Sequence, residues 1–331
     1  MKPPIGIVLA LSLAGTVLST GAQAAPPSCG APDFTQAATP ARGAQGMSIQ
    51  LLGTGGPISD DGRASSGEVI WINGKSRVLI DAGGGTYLRF GQAGARLEDL
   101  RFIGISHFHT DHSADLPALL KGAFFVGERS EIELVGPKGS KAFPGMVGFY
   151  EAMFGQGKGA FAYLSGLHDG SDGLQIRVRP SEVDSAKASP SLVYQDAEVR
   201  VTALGIPHGD VPTLAFRIEG KQGTIVVSAD QNGHRPEFVT FAKGADLLVM
   251  PAAIDDDADS ESSFMHATPR TVGELAAEIN PKILVLNHFM GKSLQDKDKN
   301  MAEIKTIFHG EVHAGRDLSC YTLDASKETK P

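Results

Sequence analysis

Ser106-His107-Phe108-His109-Thr110-Asp111-His112 gathers three imidazoles and a carboxylate into one short stretch. Along an extended backbone His107 and His109 point the same way, and a turn then brings Asp111 and His112 round to a second position. Two facing imidazoles begin a shell for one zinc ion, and an adjacent Asp/His pair begins another. A loop that is merely polar rarely carries three histidines, since any that are buried must find partners. The chemistry such a cluster serves is hydrolysis. Two cations a few ångströms apart activate a bridging water and neutralise the charge that builds on an ester's oxygens.

Four later side chains share one setting, the end of an apolar strand. His208 lies in Gly205-Ile206-Pro207-His208, Asp230 follows Ile225-Val226-Val227-Ser228-Ala229, and His288 follows Ile283-Leu284-Val285-Leu286-Asn287. His313 lies in Glu311-Val312-His313-Ala314. Singly, a histidine after a strand is more often structural. Jointly, strand ends on one sheet edge converge, and these residue types are the ones two zinc ions still lack. His168, His234 and His309 lack this setting and read as surface or packing residues. Asp255-Asp256-Asp257 reads as a solvated loop at the rim. Asp81, at another strand end, reads as an orienting or turn residue rather than a ligand.

The elements that must position these groups are short strands with intervening helices. Phe102-Ile103-Gly104-Ile105 is a buried strand leading straight into the histidine cluster. Before it come strands at 48–52, 68–72 and 77–80. Gly83-Gly84-Gly85 then opens a helix from Thr86 to Phe90. That glycine turn lacks the fingerprints of a nucleotide loop and reads as a tight turn allowing close packing. A helix over 114–123, a strand over 131–135 and a helix over 140–154 follow. The glycine-rich segment 154–191 reads as an irregular insertion near the site. A second series has strands over 198–203, 213–218, 224–228, 247–250 and 283–286, with helices over 236–242, 268–279 and 301–308. Two sheets packed face to face with helices outside satisfy this pattern.

The ends of the chain read differently. Lys2, the apolar run Ile5 to Leu18 and Gln23-Ala24-Ala25 describe an export signal over 1–24, cut after Ala24. The run is short for a membrane span, so no membrane anchor is expected. Residues 25–46, rich in Pro, Ala and Gly, form a flexible lead-in, and the hydrolase domain spans 47–325. Removing 1–24 takes one lysine and no acid, which moves the formal charge from −8 to −9. Such a surface is a poor grip for a polyanion, so nucleic acid is not the expected partner. With 41% hydrophobic and 21% charged residues among 331, the chain is an ordinary globular protein with ample core. Cys29 and Cys320 are the two cysteines; an oxidising periplasm would let them pair, and two thiols fit as well.

The chain resembles the metallo-β-lactamase fold superfamily through the H-x-H-x-D-H motif of His107, His109, Asp111 and His112, followed by His, Asp and His in order. Within it, the ribonuclease Z / phosphodiesterase / arylsulfatase branch is the most similar. The matching residues are Leu52-Gly53-Thr54-Gly55, Leu79-Ile80-Asp81-Ala82-Gly83, Gly136-Pro137-Lys138-Gly139, His266-Ala267-Thr268 and Leu286-Asn287-His288-Phe289. The resemblance implies a four-layer αββα sandwich of the α/β class holding two zinc ions, with manganese or iron as substitutes. It implies His107, His109 and His208 on one ion, Asp111, His112 and His313 on the other, and Asp230 bridging. His288 is then the catalytic histidine that is not a ligand, with His266 beside it, and Asp111 serves both catalysis and coordination. Two differences point away from tRNA. The short span from His208 to Asp230 has no room for a tRNA-clamping arm, and 248–253 lacks the His-Glu pair that supports the catalytic histidine. The expected protein is an exported zinc hydrolase acting on a small anionic ester, foremost a phosphodiester. Arylsulfatase, lactonase and β-lactamase share the metal centre, and a metal-binding protein without turnover is the other alternative. The resemblance allows a homodimer, for which no stripe of the sequence speaks.

Overall fold

In the computed structural model, residues 46–59 and 61–323 are described; the expected export signal, nearly all of the lead-in and Cys29 lie outside them. The chain runs β1 (Met47–Gly53), β2 (Gly67–Ile72), β3 (Lys75–Ile80), α1 (Thr86–Gln92), β4 (Phe102–Gly104), α2 (Thr110–Ser113), α3 (Leu116–Lys121), β5 (Ser130–Pro137), α4 (Met146–Phe154) and β6 (Ile176–Val183). It continues with β7 (Ser191–Gln195), β8 (Val199–Ile206), β9 (Thr213–Gly220), β10 (Gly223–Val227), α5 (Pro236–Ala242), β11 (Leu247–Pro251), α6 (Ser260–Met265) and α7 (Pro269–Ile279). Last come β12 (Ile283–Asn287), α8 (Gly291–Gln295), α9 (Lys297–Ile307), β13 (Glu311–Ala314) and β14 (Cys320–Leu323). Two seven-stranded sheets result, ordered β14-β1-β2-β3-β4-β5-β6 and β13-β12-β11-β10-β9-β8-β7.

The strands alternate apolar side chains between two dry faces, which explains their near-continuous hydrophobic runs. Ile70, Ile72, Val78, Ile80 and Phe102 meet Phe216, Ile225, Val227, Val249 and Val285 between the sheets. Their neighbours Val69, Trp71, Leu79 and Ile103 face the opposite way, onto Phe90, Leu116, Leu120, Tyr150 and Phe154 of α1, α3 and α4. Leu248, Met250, Leu284 and Leu286 pack under Phe238, Val272, Ala276 and Ile304 of α5, α7 and α9. Four layers, αββα, follow as expected. Among the described residues, no helix is long and apolar enough to cross a membrane.

Within each sheet, four adjacent strands run parallel: β3 to β6 in one and β10 to β13 in the other. Their C-terminal ends therefore open on one edge, where ligands collect in such folds. The segment 154–191 proves more regular than expected. Ile176–Val183 joins the first sheet as its outer strand, parallel to β5. Only one face of β6 is covered, so Ile176 and Val178 are buried while Arg177 and Arg179 are exposed. The glycines around it hid that alternation. The expected helix over 140–154 begins only at Met146, because Pro144 and Gly145 interrupt its first turn.

Candidate metal centre

The histidine cluster leaves β4 exactly where the parallel strands end. Asp81, one residue past β3, accepts from the Ser106 amide at 2.6 Å, from Ser106 Oγ at 2.8 Å and lies 2.7 Å from His112 Nδ1. With Nδ1 held, the His112 Nε2 faces the centre, buried and without a hydrogen-bond partner. Ser106 Oγ stands 3.0 Å from His107 Nδ1 and fixes that ring likewise. The four-residue helix α2 then swings Asp111 and His112 round, as the spacing predicts. Gly83 makes room for this: a Cβ there would lie 1.9 Å from the Asp111 carbonyl oxygen. The glycine turn is thus a packing device, as read from the sequence.

The other contributors also sit just past strand ends. His208, beyond β8, is oriented by the Met265 carbonyl 2.7 Å from its Nδ1, which leaves Nε2 buried and unpartnered. Asp230 follows β10 after Ala229 at φ 54°, and His288 follows β12 at φ 51°. Asp81 has φ 57°, so three residues at this edge occupy left-handed backbone, a cost that recurs at functional sites. His266 precedes α7, whose start is set by the Thr268 cap onto the Thr271 amide and by Pro269.

Two sets of donors emerge, His107/His109/His208 and Asp111/His112/His288, each with ligand atoms within 4.8 Å of one another. Asp230 joins further sets with His107 and His112 and with His208 and His266. His288 Nε2 lies 3.2 Å from Asp111 Oδ2 and 3.1 Å from Asp230 Oδ2. His266 Nδ1 lies 3.9 Å from Asp230, at the margin. The sequence suggested His313 as a ligand and His288 as a non-ligating neighbour; the structure brings His288, not His313, among the donors that could hold a metal ion.

The register explains the exclusion of His313. It pairs with Val285 on β12, three residues short of His288. At about 3.3 Å per residue it lies roughly 10 Å down the strand from the edge. Its Nε2 meets Glu311 at 2.6 Å and its ring meets Tyr321, on the outermost strand. His168, His234 and His309 also stay outside the cluster, at least partly exposed. The acidic run departs from expectation, since Asp255 is buried and held by Asn300 and Lys292; Asp256 and Asp257 are exposed.

Burial holds the His107, His109 and His208 imidazoles below their usual range, hence neutral and able to ligate. Burial alone would lower His288 too, but Asp230 and Asp111 override it and push it up to about 9. His112 is likewise held well above the usual imidazole range, against burial, by Asp230 and Asp81. Asp230 falls well below the usual carboxylate range against its burial, through His288 and His112. The same carboxylates that draw the His112 and His288 values up are ones a divalent cation would balance instead. The donor set of imidazoles and carboxylates, with orphaned ring nitrogens aimed inward and no thiolate, fits zinc.

A family model described as the Beta-lactamase superfamily domain matches residues 76–289. The chain belongs to that family. The Beta-lactamase superfamily match runs from β3 to just past His288, so it includes both donor sets. Similar proteins include the Ribonuclease Z of Methanosarcina acetivorans, 27% identical over 305 residues, or 81% of this chain and 95% of that one. The Ribonuclease Z of Listeria monocytogenes serotype 4b is 26% identical over 312 residues, 84% and 99% of the two chains. Among solved structures, the metallo-β-lactamase fold protein YhfI from Bacillus subtilis superposes with a TM-score of 0.65 at 21% identity, covering 84% of this chain and 99% of that one. Human tRNase Z, short form, gives 0.62 at 22% identity with the same coverage. These likenesses bear out the αββα sandwich.

Proposed function

We propose that this protein is an exported, dinuclear zinc hydrolase of small anionic esters, foremost phosphodiesters. The observation that carries the reading is the pair of donor sets joined by Asp230, open to a cleft of about 450 Å³ bordered by His109, Asp111, Asp230, His266 and His288. Structural zinc sites are closed, whereas this one keeps a face toward the cleft. Cations held there would polarise the ester and supply a nucleophile from water at neutral pH. His107, His109 and His208 would hold one; Asp111, His112 and His288 would hold the other, with Asp230 between. Asp81 and Ser106 keep the rings of His107 and His112 turned inward. His266, driven by burial to about 4 despite Asp230, is neutral at physiological pH and can donate an N–H to an ester oxygen.

Three features favour a small ester. The cleft has no lysine or arginine in its lining. The chain passes from His208 to Asp230 through β9 and β10 alone, without an added arm. The formal charge is −8. The export reading rests on Lys2 and the apolar run that follows it. The Ribonuclease Z relatives favour a second reading, an RNA phosphodiester, against the expectation that nucleic acid is no partner. Metal-analysed protein tested on bis-(p-nitrophenyl) phosphate, its sulfate analogue, a lactone, nitrocefin and a precursor tRNA separates these. Chelator-sensitive turnover of the phosphodiester is expected. Turnover of another substrate without it overturns the assignment.

A further inference from the structure

The wall of the cleft is aromatic and aliphatic where a nuclease would carry cations. Phe108, between His107 and His109 in sequence, lines the cleft together with Pro57 and Met290. Its ring is stacked on Phe149 of α4, with centroids 4.7 Å apart and planes 28° from parallel. Phe143 stands edge-on to His109 at 6.0 Å. Phe108 and Phe149 are only partly buried and rest against the outer core of the first sheet. That core backs the pair, and of the two rings Phe108 lines the cleft. The lysine nearest in sequence to Met290, Lys292, is held by Asp255 and Asp257 and is not presented to the cleft. At about 450 Å³ the space suits a small molecule.

We propose that Phe108, braced by Phe149, is the specificity-determining residue of the cleft and seats a flat aromatic group on the ester. This rests on the small-ester reading above and names the substrate class: an aryl ester of a tetrahedral anion. Stacking of an aryl ring on a fixed phenyl ring adds to the area it buries, whereas a methyl group in the same position gains neither. No base pairing or polyanion contact is needed.

The test compares phenylphosphonate with methylphosphonate, two anions of like charge that differ in the organic group, by calorimetry on zinc-loaded protein. Wild type binds phenylphosphonate about tenfold more tightly. In Phe108→Ala the ratio falls to about two, and in Phe108→Leu, which keeps the wall's bulk but not its ring face, it falls between. Phe149→Ala, which removes the brace, lowers the ratio without touching the ligand. Zinc content and circular dichroism check that each variant is folded. A wild-type ratio near one, or a ratio unmoved in both Phe108 variants, overturns the inference. Should the phenyl preference hold while no phosphodiester is turned over, the proposed reaction fails and this assignment stands. A flat ratio with turnover intact gives the reverse.

Discussion

His288 and His313 stand on neighbouring parallel strands of one sheet, yet one lies in the cluster and the other on an edge. β12 delivers His288 one residue beyond its last paired position, in left-handed backbone, facing Asp111 and Asp230. β13 holds His313 in mid-strand beside Glu311, level with Val285. Residue type is the same for both, and each belongs to one of two neighbouring apolar strands of the same sheet. Height along the strand is what differs, and in this fold it decides which side chains reach the open edge.

The largest effect that would test this contrast is on the cluster side. His288→Ala removes one donor and leaves Asp111 and Asp230 facing each other. It should reduce kcat/KM on the best ester by more than 100-fold and bound metal by about one ion per chain, measured by kinetics and elemental analysis. Unchanged metal content would break the comparison. Asp81→Asn comes next. It disturbs the grip on Ser106 and His112 without removing a ligand, so zinc affinity should fall about 10- to 100-fold in competition with a chromophoric chelator.

A buried carboxyl sharpens the contrast further. Glu68 on β2 accepts from Asn287, the residue before His288, at 2.7 Å. Burial, with repulsion from Asp81, pushes its pKa up from 4.5 to about 8. A carboxyl whose folded value is raised contributes stability that is complete below about 4.5 and is lost as pH climbs through 8. Glu68→Gln copies the protonated form, so in chelator-treated protein the Tm advantage of the variant should widen from pH 6 to pH 9. A gap that is constant with pH would remove Glu68 from the picture. The smallest effect belongs to His313→Ala, which loses a partly exposed pair with Glu311 and a ring contact with Tyr321. Stability should move by no more than about 0.5 kcal/mol, with metal content unchanged.

The parts of this centre that the sequence displayed are those set by local geometry. His107, His109, Asp111 and His112 are near neighbours, so strand alternation followed by one helical turn was enough to group them. His208 and Asp230 were legible because each follows an apolar run directly. β6 was not, since a one-sided edge strand among glycines carries a weak signal. That His288 joins the donor groups while His313 stays apart was not either.

By itself the sequence determined the metal chemistry, through the donor types, and the layered fold, through apolar runs that need cover on both faces. Only the tertiary structure decided which late histidine completes the cluster. Register between parallel strands depends on how two sheets and their helices pack, not on any local pattern, and a shift of three residues moves a side chain roughly 10 Å.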